Sequence, residues 1–155
     1  MNFQITGLSS APFRHLYGLS DEELALRGVK RYTADKKPGF PDRIEMRDVE
    51  IGEKLLLLNH MCQPADTPYR ATHAIFVREG ADSAYQRINE VPDVMRTRLL
   101  SLRAYDAAGM MVDADVVDGK DVESVIRRFF ESANVAYIHA HNAKRGCYSG
   151  RIDRA

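Results

Sequence analysis

Near the C-terminus, the stretch Val135-Ala-Tyr-Ile-His-Ala-His-Asn-Ala-Lys-Arg-Gly-Cys-Tyr148 gathers two histidines, an amide, two cations and a thiol. It reads as a strand, a turn and a returning strand. A second dense stretch, Asn59-His-Met-Cys-Gln-Pro-Ala-Asp-Thr-Pro-Tyr-Arg-Ala-Thr-His73, lies mid-chain. Together they read as the two walls of one site.

Three chemistries fit these residue types. His139 and His141 are two apart on a predicted strand, so their side chains share a face. Neutral imidazoles so placed can share a metal, with His73 or His60 completing the set and Asp66 as a carboxylate option. The same histidines also read as half-buried strand residues bonded to backbone. Cys147 with His139 or His141 reads as a nucleophilic pair. Lys144 and Arg145 stand nearby, and cations beside a thiol favour the thiolate, its reactive form. The bland alternative is a small cysteine packed as a hydrophobe. Asn142-Ala-Lys-Arg-Gly146 is a turn rich in cations and backbone donors, with Arg70 expected to face it and Tyr69 and Tyr148 to line it. Arginine grips a carboxylate or phosphate with two parallel hydrogen bonds, and lysine adds a point charge. That points to a small anionic ligand, against the alternative of solvated charges on a hairpin tip.

Other patterns carry less. Asp113, Asp115 and Asp118 invite a calcium reading, but the long ligand loop and terminal glutamate of an EF-hand are missing. Asp113 and Asp115 read as the exposed face of a strand, and Asp118 as a helix cap. There is no Gly-x-Gly-x-x-Gly, Walker or Gly-x-Ser-x-Gly motif.

The elements that must position these residues follow from periodicity. Residues 2–7 alternate as a strand, and a short helix is expected after Ser10. Ser20 and Glu23 form a capping box for a second helix ending at Gly28, and 29–33 is a strand. Lys37-Pro-Gly-Phe-Pro-Asp42 is a turn, followed by strands at 43–48, 53–61 and 73–78. Residues 98–105 and 110–117 flank the hairpin turn Asp106-Ala-Ala-Gly109. Val122, Val125, Ile126, Phe129 and Phe130 fall on one face of a main helix over 119–131, and strands at 135–141 and 146–153 follow it. A strand, helix and strand in that order make a right-handed crossover if both strands share a sheet. The expectation is a single α+β domain over 1–155, with a mostly antiparallel sheet of about eight strands.

Composition narrows the function. Twenty-two basic and 22 acidic residues give zero net charge, which argues against a general nucleic-acid or acidic-membrane binder. The longest aliphatic run, Leu55–Leu58, is far too short to span a bilayer. No secretory signal is visible, and two cysteines make no disulfide framework, so reduced thiols in the cytoplasm are expected. A redox pair would need Cys62 and Cys147 to meet.

Several segments resemble a known family. They are Lys37-Pro-Gly-Phe-Pro41, Gly52-Glu-Lys-Leu-Leu-Leu-Leu-Asn59, Gln63-Pro64, Pro68-Tyr-Arg70, His73-Ala-Ile-Phe-Val-Arg-Glu-Gly80, Tyr105-Asp-Ala-Ala-Gly-Met-Met-Val-Asp-Ala-Asp115 and His141-Asn-Ala-Lys-Arg-Gly-Cys-Tyr148. They are similar to the domain-of-unknown-function family numbered 1203, small bacterial proteins, and the resemblance covers nearly the whole chain. It implies no reaction, cofactor or catalytic residue. The residues therefore carry the functional expectation. It is a small-molecule binding domain for an anion, or a small enzyme in the same pocket, metal-dependent through His73, His139 and His141 or thiol-based through Cys147. A protein–protein interaction module, marked by a flat exposed apolar patch, is the third class.

Overall fold

A computed structural model describes residues 1–155. Two antiparallel sheets and one main helix form an α+β fold. The larger sheet contains β1 (Phe3–Thr6), β5 (Gln86–Ile88), β6 (Leu99–Tyr105), β7 (Met111–Asp118), β8 (Tyr137–Asn142) and β9 (Tyr148–Arg154), in the order β5-β1-β9-β8-β6-β7. The smaller contains β2 (Lys30–Thr33), β3 (Lys54–Gln63) and β4 (Ala71–Arg78), in that order. No helix is long and apolar enough to cross a membrane.

The main helix begins where the sequence places it. The Asp118 side chain accepts from the Lys120 amide at 3.1 Å, and a 3-10 turn over Gly119–Asp121 runs into α3 (Val122–Glu131). Its apolar residues Val122, Val125, Ile126, Phe129 and Phe130 are all buried against one face of the larger sheet, among Leu100, Leu102, Ile138 and Ile152. Each such large side chain contributes roughly 1.5–3 kcal/mol by leaving water. The expected capping box is also present, at the start of α1 (Asp21–Leu26). The Glu23 amide donates to Ser20 Oγ at 3.1 Å, and the Ser20 amide donates to Glu23 Oε2 at 3.0 Å.

The other face of the larger sheet looks toward the smaller one. Leu56, Leu58, Ile75 and Val77 of β3 and β4 share a buried cluster with Tyr148 of β9. Because side chains alternate along a strand, Ile138 and Ala140 join the helix-side core while His139 and His141 turn between the two sheets.

The strand–helix–strand crossover takes a form the sequence left open. β6 pairs antiparallel with both β7 and β8, so β7 and β8 run parallel with β6 between them. One expected strand is absent. Residues 43–48 form turns, with a single bridge between Pro41 and Asp48. The cause is Asp42, whose carboxylate accepts from the Glu45 amide at 2.6 Å and the Arg78 amide at 2.7 Å. A side chain that captures backbone donors competes with a strand ladder. In the other direction, β5 and the one-turn helix α2 (Asp93–Arg96) had no periodic signal, since all three β5 residues are exposed and α2 is only four residues long.

Candidate functional site

The β8–β9 hairpin builds the centre of the site. Its turn is closed by the Gly146 amide on the Asn142 carbonyl at 2.7 Å and the Asn142 amide on the Cys147 carbonyl at 2.9 Å. Gly146 has φ 75°, a left-handed value that a side chain disfavours. The Ala143 amide donates to the Leu99 carbonyl at 2.9 Å, tying the turn to the start of β6. Lys144 and Arg145 are thereby held exposed beside Thr97 and Arg98.

Two of the histidines are interior residues. His139 and His141 are 3% and 1% exposed, and Tyr148 stands edge-on to both, with ring centroids 5.2 and 5.8 Å away. His141 Nδ1 lies 2.9 Å from the Gly146 carbonyl. From β4, His73 approaches His141 to 4.9 Å between centroids, so the two dense stretches of sequence do meet there. His139 is 6.4 Å from His141 and packs instead on Tyr105 and Tyr137. His60 opposes His73 across β3 and β4, but its ring rests on Phe13 at 5.6 Å. No group of three or more His, Cys, Asp or Glu side chains converges to hold a metal ion, whether around these rings or around Asp113, Asp115 and Asp118. Asp115 pairs with Arg128, and Asp118 caps the helix.

Burial sets the protonation of these rings. It pushes the His139 pKa down to about 4, helped by Arg151, Arg103 and His73. His141 is pushed down to about 3, with burial outweighing the Gly146 carbonyl bond that opposes it. Burial also lowers His73 and His60. At neutral pH the rings are therefore neutral. Nε2 of His73 and Nδ1 of His139 are buried without a hydrogen-bond partner.

The rest of the mid-chain stretch turns elsewhere. After a bulge between Met61 and Gln63, the loop curls onto the β6–β7 hairpin. Gln63 donates to the Tyr137 hydroxyl at 2.9 Å, Thr67 donates to the Gly109 carbonyl at 3.2 Å, and Tyr69 meets Tyr105 edge-on at 6.3 Å. Arg70 donates to Pro64 of its own loop at 2.7 Å. Neither Tyr69 nor Arg70 lines the cleft at the cationic turn, and Asp66 is exposed on the same loop. Tyr148 is 3% exposed and belongs to the core beneath the turn rather than to a ligand surface. Cys62 and Cys147 are both free thiols, Cys62 buried and Cys147 half-buried.

At the turn lies a cleft of about 870 Å³. Its floor comes from β3 and β4, its rim from the segment 36–43, the start of β6 and the 142–147 turn. The charged side chains that line it are Lys36, Arg43, Arg98, Lys144 and Arg145, and no carboxylate lines it. Arg98 is held by Asp48 through two bonds of 2.7 and 3.0 Å. Lys36, Lys144 and Arg145 take part in no salt bridge. Asn142 and His73 also line the cleft, and Oδ1 of Asn142 is buried without a hydrogen-bond partner.

Arg43 organises this region, and sequence reasoning missed it. It is 3% exposed. Its Nε donates to the Tyr148 carbonyl at 2.8 Å, Nη1 to the Pro41 carbonyl at 2.8 Å and Nη2 to Cys147 Sγ at 3.1 Å. Asn142 Nδ2 lies 3.6 Å from the same sulfur. In sequence Arg43 is one charge in the strand expected over 43–48, and only the Asp42-centred turns aim it inward. Lys36, Arg98 and the aromatic floor were also unmarked, because nothing in their local spacing separates them from surface residues.

The model of a family described as protein of unknown function (DUF1203) matches residues 39–154, about three quarters of the chain. No curated protein and no solved structure matches it.

Proposed function

The chain belongs to the DUF1203 family, and from that premise we propose that it is a binding protein for a small anionic molecule held in the cleft at the β8–β9 turn. The observation that carries this reading is the sign of the lining. Five cations face one concave space with no carboxylate among them, in a chain whose net charge is zero. Evenly mixed charges would place acids there as readily as bases. The cleft's volume is in the range of small-molecule sites, which run from about 300 to 1,000 Å³. We place the protein in the cytoplasm, where two unbridged cysteines stay reduced.

A thermal-shift series with phosphate, sugar phosphates and organic acids tests the reading. A ligand that binds only the folded chain raises its melting temperature by mass action. Stabilisation by anions, and none by neutral analogues, is the expected result. No shift from any anion at millimolar concentration would sink it.

One observation favours a second reading, a thiol-based enzyme in the same cleft. Cys147 lines the cleft, and a buried guanidinium donates to its sulfur. Replacing Cys147 with Ser separates the two. Turnover of a bound ligand that vanishes while affinity persists supports the enzyme, and unchanged behaviour of the variant leaves the binder.

A further inference from the structure

The cleft has a second kind of wall. Across β3 and β4, Leu57 pairs with Phe76, and on β2 Tyr32 pairs with Leu55, two residues along β3 from Leu57. Strand alternation puts Tyr32, Leu57 and Phe76 on one face of the smaller sheet, the face turned away from the inter-sheet core. Phe40, from the rim segment, leans onto Phe76 at 5.4 Å and 60°, while Tyr32 meets Phe76 edge-on at 5.5 Å and 90°. All four residues line the cleft, and each remains half-buried with apolar surface still open to it. An ion alone would need only the cations. Three rings packed on one another beside them present an apolar floor that a planar group can meet in tilted or offset contact.

We infer that the ligand is an acid carrying an aromatic ring, its phosphate or carboxylate met by Lys144 and Arg145 and its ring seated on Phe40, Phe76 and Tyr32. This rests on the anion-binding reading of the cleft. The two sources of the acid group share one chemistry, a compact oxyanion on an aryl body, and they are separated by direct comparison.

Isothermal titration on the full chain compares phenyl phosphate with inorganic phosphate, phenylacetate with acetate, and benzyl alcohol as the neutral ring. At least one aryl acid is expected to bind tenfold or more tighter than its ring-less partner and than benzyl alcohol, and the tighter of the two identifies the acid group. In Phe40→Ala that advantage falls to less than threefold, while the inorganic anion binds as before. Phe76→Leu, which keeps apolar volume but removes the ring, gives the same loss and guards against a folding defect in the first variant. Equal affinity of both aryl acids and their bare anions overturns this inference and leaves the anion site standing. Benzyl alcohol binding as tightly as the tighter aryl acid overturns it too, in favour of a neutral ligand. No heat from any probe overturns both the inference and the reading beneath it.

Discussion

Arg43 Nη2 donates to Cys147 Sγ at 3.1 Å across 104 residues of chain, joining the buried guanidinium to the only cysteine that lines the cleft. The two thiols of the protein therefore live in different surroundings. Cys62 is 9% exposed, it donates to the Ala71 carbonyl, and burial pushes its pKa up. Brief iodoacetamide treatment of the native protein is expected to label Cys147 and spare Cys62, with Cys62 reacting only after denaturation. Peptide mass mapping reads this directly. A cleft-bound anion should also slow labelling of Cys147, and unchanged labelling at saturating ligand would place the ligand elsewhere.

Arg43 also ties elements together. Its amide donates to the Phe76 carbonyl at 3.2 Å, and its carbonyl accepts from Leu8 at 2.8 Å, while the guanidinium holds Pro41 and Tyr148. Truncation to Ala strands two carbonyl acceptors and the sulfur, and should cost about 3 kcal/mol of stability. Arg43→Lys should recover little, because an ammonium cannot reach three partners in the planar fork of a guanidinium. Urea unfolding of the variants measures both. A cost below about 0.5 kcal/mol for Ala would show that Arg43 does not organise the region.

The interior histidines make stability depend on pH. Unfolded histidine titrates near pH 6.5, whereas His139 and His141 in the folded chain stay neutral down to about 4 and about 3. Between those values the unfolded chain binds more protons, so stability falls as pH drops below about 6.5, by up to roughly 1.4 kcal/mol per pH unit for each ring. The loss levels off for each ring below its folded value. Asp42 works the other way, since burial raises its carboxyl and the folded chain then takes up protons in acid more readily. Urea unfolding at pH 7.5, 6.0 and 5.0, on the wild type and on His139→Phe, isolates the histidine share. The variant's stability should fall less steeply with acid, and parallel curves would show that His139 is not the group responsible.

The cleft cations divide by partner. Arg98 is bound to Asp48, at 20% and 9% side-chain exposure, and also donates to the Val94 carbonyl at 2.9 Å. Lys144 and Arg145 stand free on the turn. Arg98→Ala should cost about 1–2 kcal/mol of stability and weaken anion binding little. Lys144→Ala with Arg145→Ala should leave the melting temperature of the free protein nearly unchanged and weaken anion binding tenfold or more. Melting curves with and without ligand read both effects, and the reverse pattern would move the anion site toward Arg98.

Much of the fold was legible because it rests on local signals. Asp118 and the spacing of Val122 through Phe130 specify the helix and its buried face, and alternation marks the strands β6 and β7. The face of His139 and His141 followed from the period of two alone. Where a side chain overrode the pattern, as Asp42 did at 43–48, the reading failed, because a carboxylate's choice of amide partners is set by a strand more than thirty residues away.

The sequence by itself determined the class of fold, the single main helix, and the cationic turn with its neighbouring thiol, since propensity, capping and alternation act within a few residues. Only the tertiary structure decided that His73 meets His141 while Tyr69 and Arg70 turn aside, and that Arg43 reaches Cys147. It also decided that an aromatic floor completes the cleft. Those relationships depend on how one sheet is laid against another. That packing minimises exposed apolar surface over the whole chain at once, and no short window of residues records it.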